Sequence, residues 1–460
     1  MFCFTQLAVA KWNGFGEPFH YSTTRNYYVL LKDINNDSFP DIVTANVYTQ
    51  NADNFGIRLN DKTGHFQDEI LIPVISGYTV WDFADLNNDG LTDFLTSYYW
   101  DNGIRIYMGS ALTSFTHGPL VSTAVHGWLS KISDTDGDGI LDLINISHGS
   151  GNPMRLHIFK GNGDGTFLPK ATYESQFSSA HSLLIKDINE DGLKDIILSA
   201  SFTKIPVFLQ NPDNTFSPTE IPIEHGESFS NAVGDINNDG IEDIVYGPGE
   251  FPEVGFTDTI RITLGMGDGL FKSPYTSPGL SSIHNPIYVR VADLNHDKNQ
   301  DIITLDLFTK DLYYFLGNGD STFEPPIKLT NRDTINNFEI GDINQDGFED
   351  IVTINRNFTT SVFLNNGETT NIVEYSNENM LKYFPNPFSK NINIDLALPE
   401  SSQVSIEILD VFGNSIEELV NTYLIGQNYR FQWQSNNPSG IYFLKFRVNE
   451  NQEIYKLLKN

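Results

Sequence analysis

An acidic phrase of nine residues, D-x-[D/N]-x-D-x-x-x-D, runs into an apolar strand seven times in this chain. No other feature constrains the fold as much. The copies begin at Asp33, Asp85, Asp134, Asp187, Asp235, Asp293 and Asp342, at steps of 52, 49, 53, 48, 58 and 49 residues. Self-similarity at such a period marks a chain assembled from repeated supersecondary units rather than grown around one core.

Every unit follows one grammar. A short apolar run such as "YVLLK" or "SLLIK" precedes the acidic loop, and a β-branched run such as "DIV" or "DII" follows it. After a variable polar stretch come another strand and a Gly/Asn turn, as in "LHIFKGNGDGTF" or "LYYFLGNGDSTF". That turn chemistry marks a hairpin. Each unit is therefore about four strands, one propeller blade. The whole chain, 460 residues with 39% hydrophobic and 13% aromatic content, can bury a core. Runs of helix formers are scarce, so the fold class is all-β: a seven-bladed β-propeller. The segment "LAVAKWNGFGEPFHYST" reads like the second half of a unit. A strand within it, such as "EPFHYST", is expected to close the ring against the last blade. A truncated eighth blade is the alternative.

Within each copy, oxygen side chains occupy positions 1, 3, 5 and 9. They are Asp33, Asn35, Asp37 and Asp41; Asp85, Asn87, Asp89 and Asp93; Asp134, Asp136, Asp138 and Asp142; Asp187, Asn189, Asp191 and Asp195. The last three copies supply Asp235, Asn237, Asp239 and Asp243; Asp293, Asn295, Asp297 and Asp301; Asp342, Asn344, Asp346 and Asp350. Hard cations such as calcium take six to eight oxygens, and a glycine at position 6 supplies a sharp turn that frees the position 7 carbonyl. The ninth-position Asp is expected to bind through both oxygens. Asp and Asn also favour turns without any metal. The sevenfold register, and the repulsion among carboxylates that a cation would relieve, favour calcium, up to seven ions. These four positions hold 22 of the 59 acids. The third copy, with Asp at all four positions, is expected to bind most tightly. The first and sixth, with Ser38 and Lys298 at position 6, are expected to bind least tightly.

The phrase D-x-[DN]-x-D-G-x-x-D, followed by an apolar strand and "GNGDGTF", resembles the FG-GAP/VCBS repeat, the unit of the integrin α-subunit propeller. The resemblance spans roughly Tyr21–Glu374. It implies a calcium-binding, extracytoplasmic β-propeller, usually of seven blades. It does not imply one activity, since relatives include adhesion receptors, lectins and some polysaccharide-cleaving enzymes.

The pattern stops after "NNGETTNIVEYSNENMLK". From Tyr383 onward, period-two runs with turn-rich joints describe a small Ig-like β-sandwich. "PNPF" (Pro385–Phe388), "ILDVFGN", "SGIYFLK" (Ser439–Lys445) and the final "KLLKN" follow in order. Together they resemble the C-terminal type A sorting domain of the type IX secretion system of Bacteroidota. That resemblance implies export across the outer membrane and engagement of the secretion machinery. The expected division is 1–374 propeller, 375–382 linker and 383–460 sorting domain. The start, "MFCFTQLAVA", lacks the basic residues of a signal peptide, so the native start is expected upstream.

The formal charge of −31 repels nucleic acid and anionic membrane and suits cations. No run of 18 apolar residues exists, so no transmembrane segment is expected. Cys3 is the only cysteine and excludes an internal disulfide. No Gly-x-Ser-x-Gly elbow, His-Glu-x-x-His or phosphate-binding loop occurs, so no catalytic residue is assigned. Residues about six before each first Asp enter the same strand of each blade and are expected to ring one mouth: Tyr27, Thr79, Trp128, His181, Phe229, Ile287 and Asn336, with Trp81 and His126 nearby. Flat aromatic faces and histidine suit sugar rings, although such positions also serve ordinary strand packing. "SYYWDNG" (Ser97–Gly103) is a second, weaker aromatic surface. The reading is a secreted or surface-displayed binding or adhesion protein for a glycan or extracellular protein. The alternatives are a lyase-like polysaccharide enzyme with His181 or His126 in proton transfer, or a structural matrix component.

Overall fold

The structure is a computed structural model. It describes residues 11–12, 14–24, 27–45, 54–75, 79–97, 103–111, 113–123, 127–147, 154–175, 180–199, 204–223, 228–248, 259–277, 279–280, 283, 286–329, 334–369, 381–397, 401–425, 428–448 and 451–460. They fall into two compact units, Trp12–Thr369 and a smaller one built on the C-terminal residues.

In the larger unit, seven antiparallel sheets of three or four strands follow one another along the chain among the described residues. The first runs in order Tyr28–Lys32, Asp41–Ala45, Asn54–Arg58, Ile70–Pro73, and the third runs Gly127–Ser133, Asp142–Ser147, Arg155–Phe159, Ala171–Glu174. The second, fourth and sixth repeat this four-strand meander, opening on Thr79–Ala84, Ser182–Lys186 and Pro286–Ala292. The fifth has three strands, Ser228–Gly234, Asp243–Pro248 and Arg261–Thr263, and a bridge from Ile262 to Tyr275 extends it.

Burial falls from the middle of each sheet outward. The second strands, such as Asp41–Ala45 and Asp142–Ser147, are buried at every residue. That is why they read as runs rich in Ile, Val and Leu, because neighbouring sheets cover both their faces. The fourth strand Ala171–Glu174 is largely exposed and polar.

The seventh sheet takes three strands from its own repeat: Ile335–Gly341, Asp350–Asn355 and Thr359–Phe363. Its outer strand is Phe19–Ser22, from the other end of the chain. Phe19, His20, Tyr21 and Ser22 face Val362, Ser361, Thr360 and Thr359. The core continues across this junction: Val29, Ile42 and Phe66 of the first sheet pack with Ile343, Val352, Ile354 and Val362 of the seventh.

The smaller unit is two antiparallel sheets face to face. Leu381–Phe384, Asn391–Ala397 and Asn428–Gln434 form one; Ser415–Leu424, Ser402–Leu409, Gly440–Val448 and Asn451–Lys459 form the other. Ile392, Ile394 and Trp433 fill the space against Val404, Ile406, Leu444 and Leu457. The "PNPF" stretch docks on the last strand. The Leu458 amide donates to Asn386 Oδ1 (2.7 Å), and the Phe388 amide donates to the Leu458 carbonyl (2.8 Å). The two sequence signals at opposite ends of the tail are therefore one structural joint.

Candidate functional site

Each acidic loop joins the first strand of a sheet to the second. Its turns are local. In the fifth copy the Asp239 amide donates to Asp235 Oδ1 and Asn237 Oδ1, the Gly240 amide to Asp235 Oδ2, and the Ile241 amide to Asp239 Oδ1, all at 2.8–3.1 Å. Asn237 Nδ2 donates to Asp239 Oδ2 at 2.9 Å. Two positions are left-handed. Position 6 was readable from its glycines, yet Ser38 and Lys298 hold φ of 75° and 73° there. Position 4 was not anticipated; Asn36, Asn88 and Asn238 all hold φ of 56°. The signal was present, since asparagine tolerates that region better than other side chains.

The ninth-position Asp is also tied to the backbone on both sides of the loop. In all seven copies Oδ2 accepts the position 2 amide and Oδ1 accepts an amide in the last residues of the third strand or just past it. For Asp243 these are Ile236 (2.9 Å) and Gly265 (2.7 Å); for Asp41 they are Ile34 (2.9 Å) and Asn60 (2.8 Å). Both oxygens are thus engaged by the fold; outside the third loop each keeps one lone pair, whereas Asp142 Oδ2 also accepts from Thr135 Oγ1 and Lys160 Nζ. Burial, with the neighbouring loop carboxylates added, pushes Asp41, Asp93, Asp195 and Asp243 up to about 6 and Asp301 and Asp350 to about 7.

The third-to-fourth-strand turn of one sheet caps the loop of the sheet before it. The Gly165 amide donates to Leu86 O (3.1 Å), Ser321 to Ile236 O (3.2 Å), and Asn60 and Asn365 amide groups to Ile343 O (2.9 Å) and Leu294 O (2.8 Å). Loops also meet directly: Asn36 Nδ2 reaches Gly90 O (2.7 Å), and Gln345 Nε2 reaches Ser38 O (2.7 Å). The repeated "GNGDGTF" turn is therefore an inter-sheet clasp, which sequence reasoning missed.

The donor set fits a hard cation. Ligand oxygens of Asp134, Asp136 and Asp138 lie within 4.8 Å of one another. In the sixth loop Asp293 Oδ1 is buried with no hydrogen-bond partner among the described residues. Orphaned carboxylate oxygens are costly unless an ion or water satisfies them. The third loop, however, also receives a lysine: Lys160 Nζ lies 2.9 Å from Asp136 Oδ2 and 3.0 Å from Asp142 Oδ2. Burial opposes its charge, but these carboxylates outweigh burial and hold the ammonium above the usual lysine range.

Along the first strands lies a cavity of about 430 Å³, lined by residues from the first strands of all seven sheets. Tyr27, Trp81 and His181 line it, joined by Tyr28 and Tyr288. Tyr27 is 47% exposed, whereas Trp81 is buried and donates its indole N–H to Ser97 Oγ (2.6 Å). Thr79 lines the wall but is buried, and Ile287 turns away into the core. The reason is a β-bulge. The register slips at Trp81, Trp128, Phe229, Tyr288 and Asn336, five of the seven first strands. A bulge re-aims a side chain, so the equivalent of Trp128 is Trp81 in the second sheet and Tyr288 in the sixth. The Trp128 and Phe229 side chains, His126, and 98–102 of the "SYYWDNG" stretch lie outside the described residues, as does Cys3.

Ion pairs join the first strands of neighbouring sheets. Arg290 meets Glu339 (3.1 Å) between the sixth and seventh sheets, and Lys32 meets Asp82 (2.7 Å) between the first and second. Asp82 also accepts the Ile132 amide of the third sheet (3.0 Å). Burial pushes the Tyr28 hydroxyl up to about 12, so it remains a donor at neutral pH.

Profile comparison matches the FG-GAP-like repeat at residues 33–96, 134–198 and 187–246, each stretch opening on the first Asp of a loop. The secretion system C-terminal sorting domain matches residues 382–460. No curated protein matches the sequence. Among solved structures, the Tc holotoxin pore of Photorhabdus luminescens is similar over 93% of this chain, at 14% identity and a TM-score of 0.35. The chain spans about a fifth of that one, 22%. Among the described residues no helix is long and apolar enough to cross a membrane. The chain carries FG-GAP-like repeats of β-propeller type and ends in a type IX sorting domain, which marks it for export to the cell surface or extracellular space.

Proposed function

We propose that this protein is a calcium-stiffened, seven-bladed β-propeller that binds a glycan or an extracellular protein at its central mouth, followed by an Ig-like sorting domain. The observation that carries this reading is the cavity: one first strand from every sheet reaches it, and bulges re-aim aromatic positions in the strands that form it. None of the acidic-loop ligand residues lines the cavity, so calcium there would stiffen the scaffold without touching the ligand. The side chains at positions 1, 3, 5 and 9 would hold the ion, at a Kd of roughly 10⁻⁴–10⁻³ M for modules of this kind. At tenfold to hundredfold excess, each ion would add about 1.4–2.7 kcal/mol to stability.

The test is retention of the purified chain on polysaccharides and matrix proteins, in calcium and in EDTA, with Tyr27→Ala and His181→Ala alongside. Retention on one class that both variants lose supports the reading. No retention by a folded protein sinks it. A melting temperature that EDTA leaves unchanged removes calcium from the account.

One observation favours a second reading. The same cavity holds His181, Tyr27 and Arg290, the residue types a polysaccharide lyase uses for proton transfer and carboxylate neutralisation. Against it, Arg290 is engaged by Glu339 and by the Val289 carbonyl (3.1 Å). New ultraviolet absorbance from an unsaturated uronate, on incubation with acidic polysaccharides, would decide for the enzyme.

A further inference from the structure

The third repeat departs from the other six at three places that meet in space. Position 2 is Ile34, Leu86, Ile188, Ile236, Leu294 or Ile343 elsewhere, but Thr135 here. Position 3 is asparagine elsewhere, but Asp136 here. The residue just before the amide that binds the ninth-position Asp is leucine or methionine elsewhere, as in Leu59 and Met108, but Lys160 here.

These three exchanges form one network. Lys160 Nζ donates to Asp136 Oδ2 (2.9 Å), Asp142 Oδ2 (3.0 Å) and Thr135 Oγ1 (2.8 Å). Thr135 Oγ1 in turn donates to Asp142 Oδ2 (2.5 Å). All three ammonium donors are satisfied. In the other loops the position 3 asparagine amide ties position 5 down, as Asn87 does to Asp89 (2.9 Å) and Asn344 to Asp346 (3.0 Å). Asp136 has no such N–H to give. An apolar contact and an amide have been exchanged for an acid and a base. The exchange adds one negative and one positive charge, so the third loop carries no more net charge than its neighbours.

We propose that Lys160 is the resident counter-ion of the third loop, replacing there the divalent cation that the other loops take. This rests on the calcium reading of those loops. A metal entering the third loop must approach an ammonium already bonded to two of its four acids, and like charges at such separations repel. The most acidic loop is therefore the one whose order does not depend on calcium, and the ranking expected from its four aspartates is reversed.

Hydrogen exchange on the full chain tests this, with wild type and Lys160→Met each measured in calcium and in EDTA. Methionine already stands at the equivalent position in the second repeat, as Met108. In wild type, EDTA should speed exchange tenfold or more in the other loops and leave 134–142 unchanged. In Lys160→Met, the 134–142 loop should become EDTA-sensitive like the rest. A wild-type third loop that loses protection together with the others overturns the proposal. So does a Lys160→Met loop that stays protected in EDTA. If no wild-type loop responds to EDTA, the calcium reading fails by itself. The lysine's role then stands only if Lys160→Met deprotects 134–142 and no other loop, and an unchanged loop refutes it. Should Lys160→Met not fold, the wild-type comparison alone still decides.

Discussion

Removing the strand Phe19–Ser22 should open the larger unit at its seventh sheet, and the structure lets the cost be worked out. The strand contributes a four-residue antiparallel ladder with Thr359–Val362. At about 1 kcal/mol net per hydrogen bond, that ladder is worth about 2–4 kcal/mol. Tyr21 adds an edge contact to Phe66 (5.9 Å between ring centroids), lies under the Arg58 guanidinium (5.4 Å), and accepts the Phe66 amide (3.2 Å). Truncating a half-buried aromatic of this kind costs about 2 kcal/mol, below the 3–5 kcal/mol of a fully buried ring. Arg58 also binds the Ser22 carbonyl, and Thr23 and Thr24 hydroxyls bind Glu69 (2.5 and 3.3 Å). The sum, about 5–8 kcal/mol, matches the whole stability of many domains. Deletion of residues 1–24 should therefore abolish the cooperative melt, Tyr21→Ala should lower the melting temperature by about 3 °C, and a peptide of residues 17–24 should restore the deleted chain. Thermal melts by circular dichroism measure all three. A deleted chain that melts like the intact one would refute the closure argument.

Other outcomes follow from buried groups. Burial, with the charges of Lys170 and Arg155 added, lowers His157 to about 3, and it stays neutral between Ser147 Oγ (2.7 Å) and Thr172 Oγ1 (3.0 Å). Only the unfolded chain takes up that proton between about pH 6.5 and 3, so stability should fall as pH drops through this window, by about 1.4 kcal/mol per unit at most; His157→Gln should flatten the profile in acid denaturation. Asp243→Ala strands the buried amides of Ile236 and Gly265 and should cost about 2–6 kcal/mol, whereas Asn237→Ala, on the loop surface, should cost under about 1 kcal/mol; urea melts separate the two. Trp433→Ala empties the tail core beside Phe388 (5.4 Å) and Tyr442 (5.3 Å), costs about 3–5 kcal/mol, and should make the tail protease-sensitive.

Contact order along the chain separates what was legible from what was not. The acidic loops could be read because their bonds span two to seven residues: Asp235 to Asp239 and Gly240, Asp243 to Ile236. Strand positions were legible for a similar reason, since the buried second strands are runs rich in Ile, Val and Leu. The aromatic mouth was placed by counting six residues back from each loop, and bulges that insert one residue defeated the count at Trp81 and Tyr288. A bulge leaves no mark on a polar-apolar pattern, because the extra residue shifts the phase of only part of a strand.

By itself the sequence determined the repeated sheets, the turn at each acidic loop, and the tail whose signals mark it for export. Each is written in residues close together, where spacing and side-chain chemistry leave few choices. Only the tertiary structure decided the register in which the expected closing segment pairs, Phe19–Ser22 on Thr359–Val362, that "GNGDGTF"-type turns clasp the preceding loop, and that Lys160 bonds Asp136 and Asp142 in the third loop. Those pairings join residues distant in the chain, and the closing of sheet upon sheet, not local propensity, selects them.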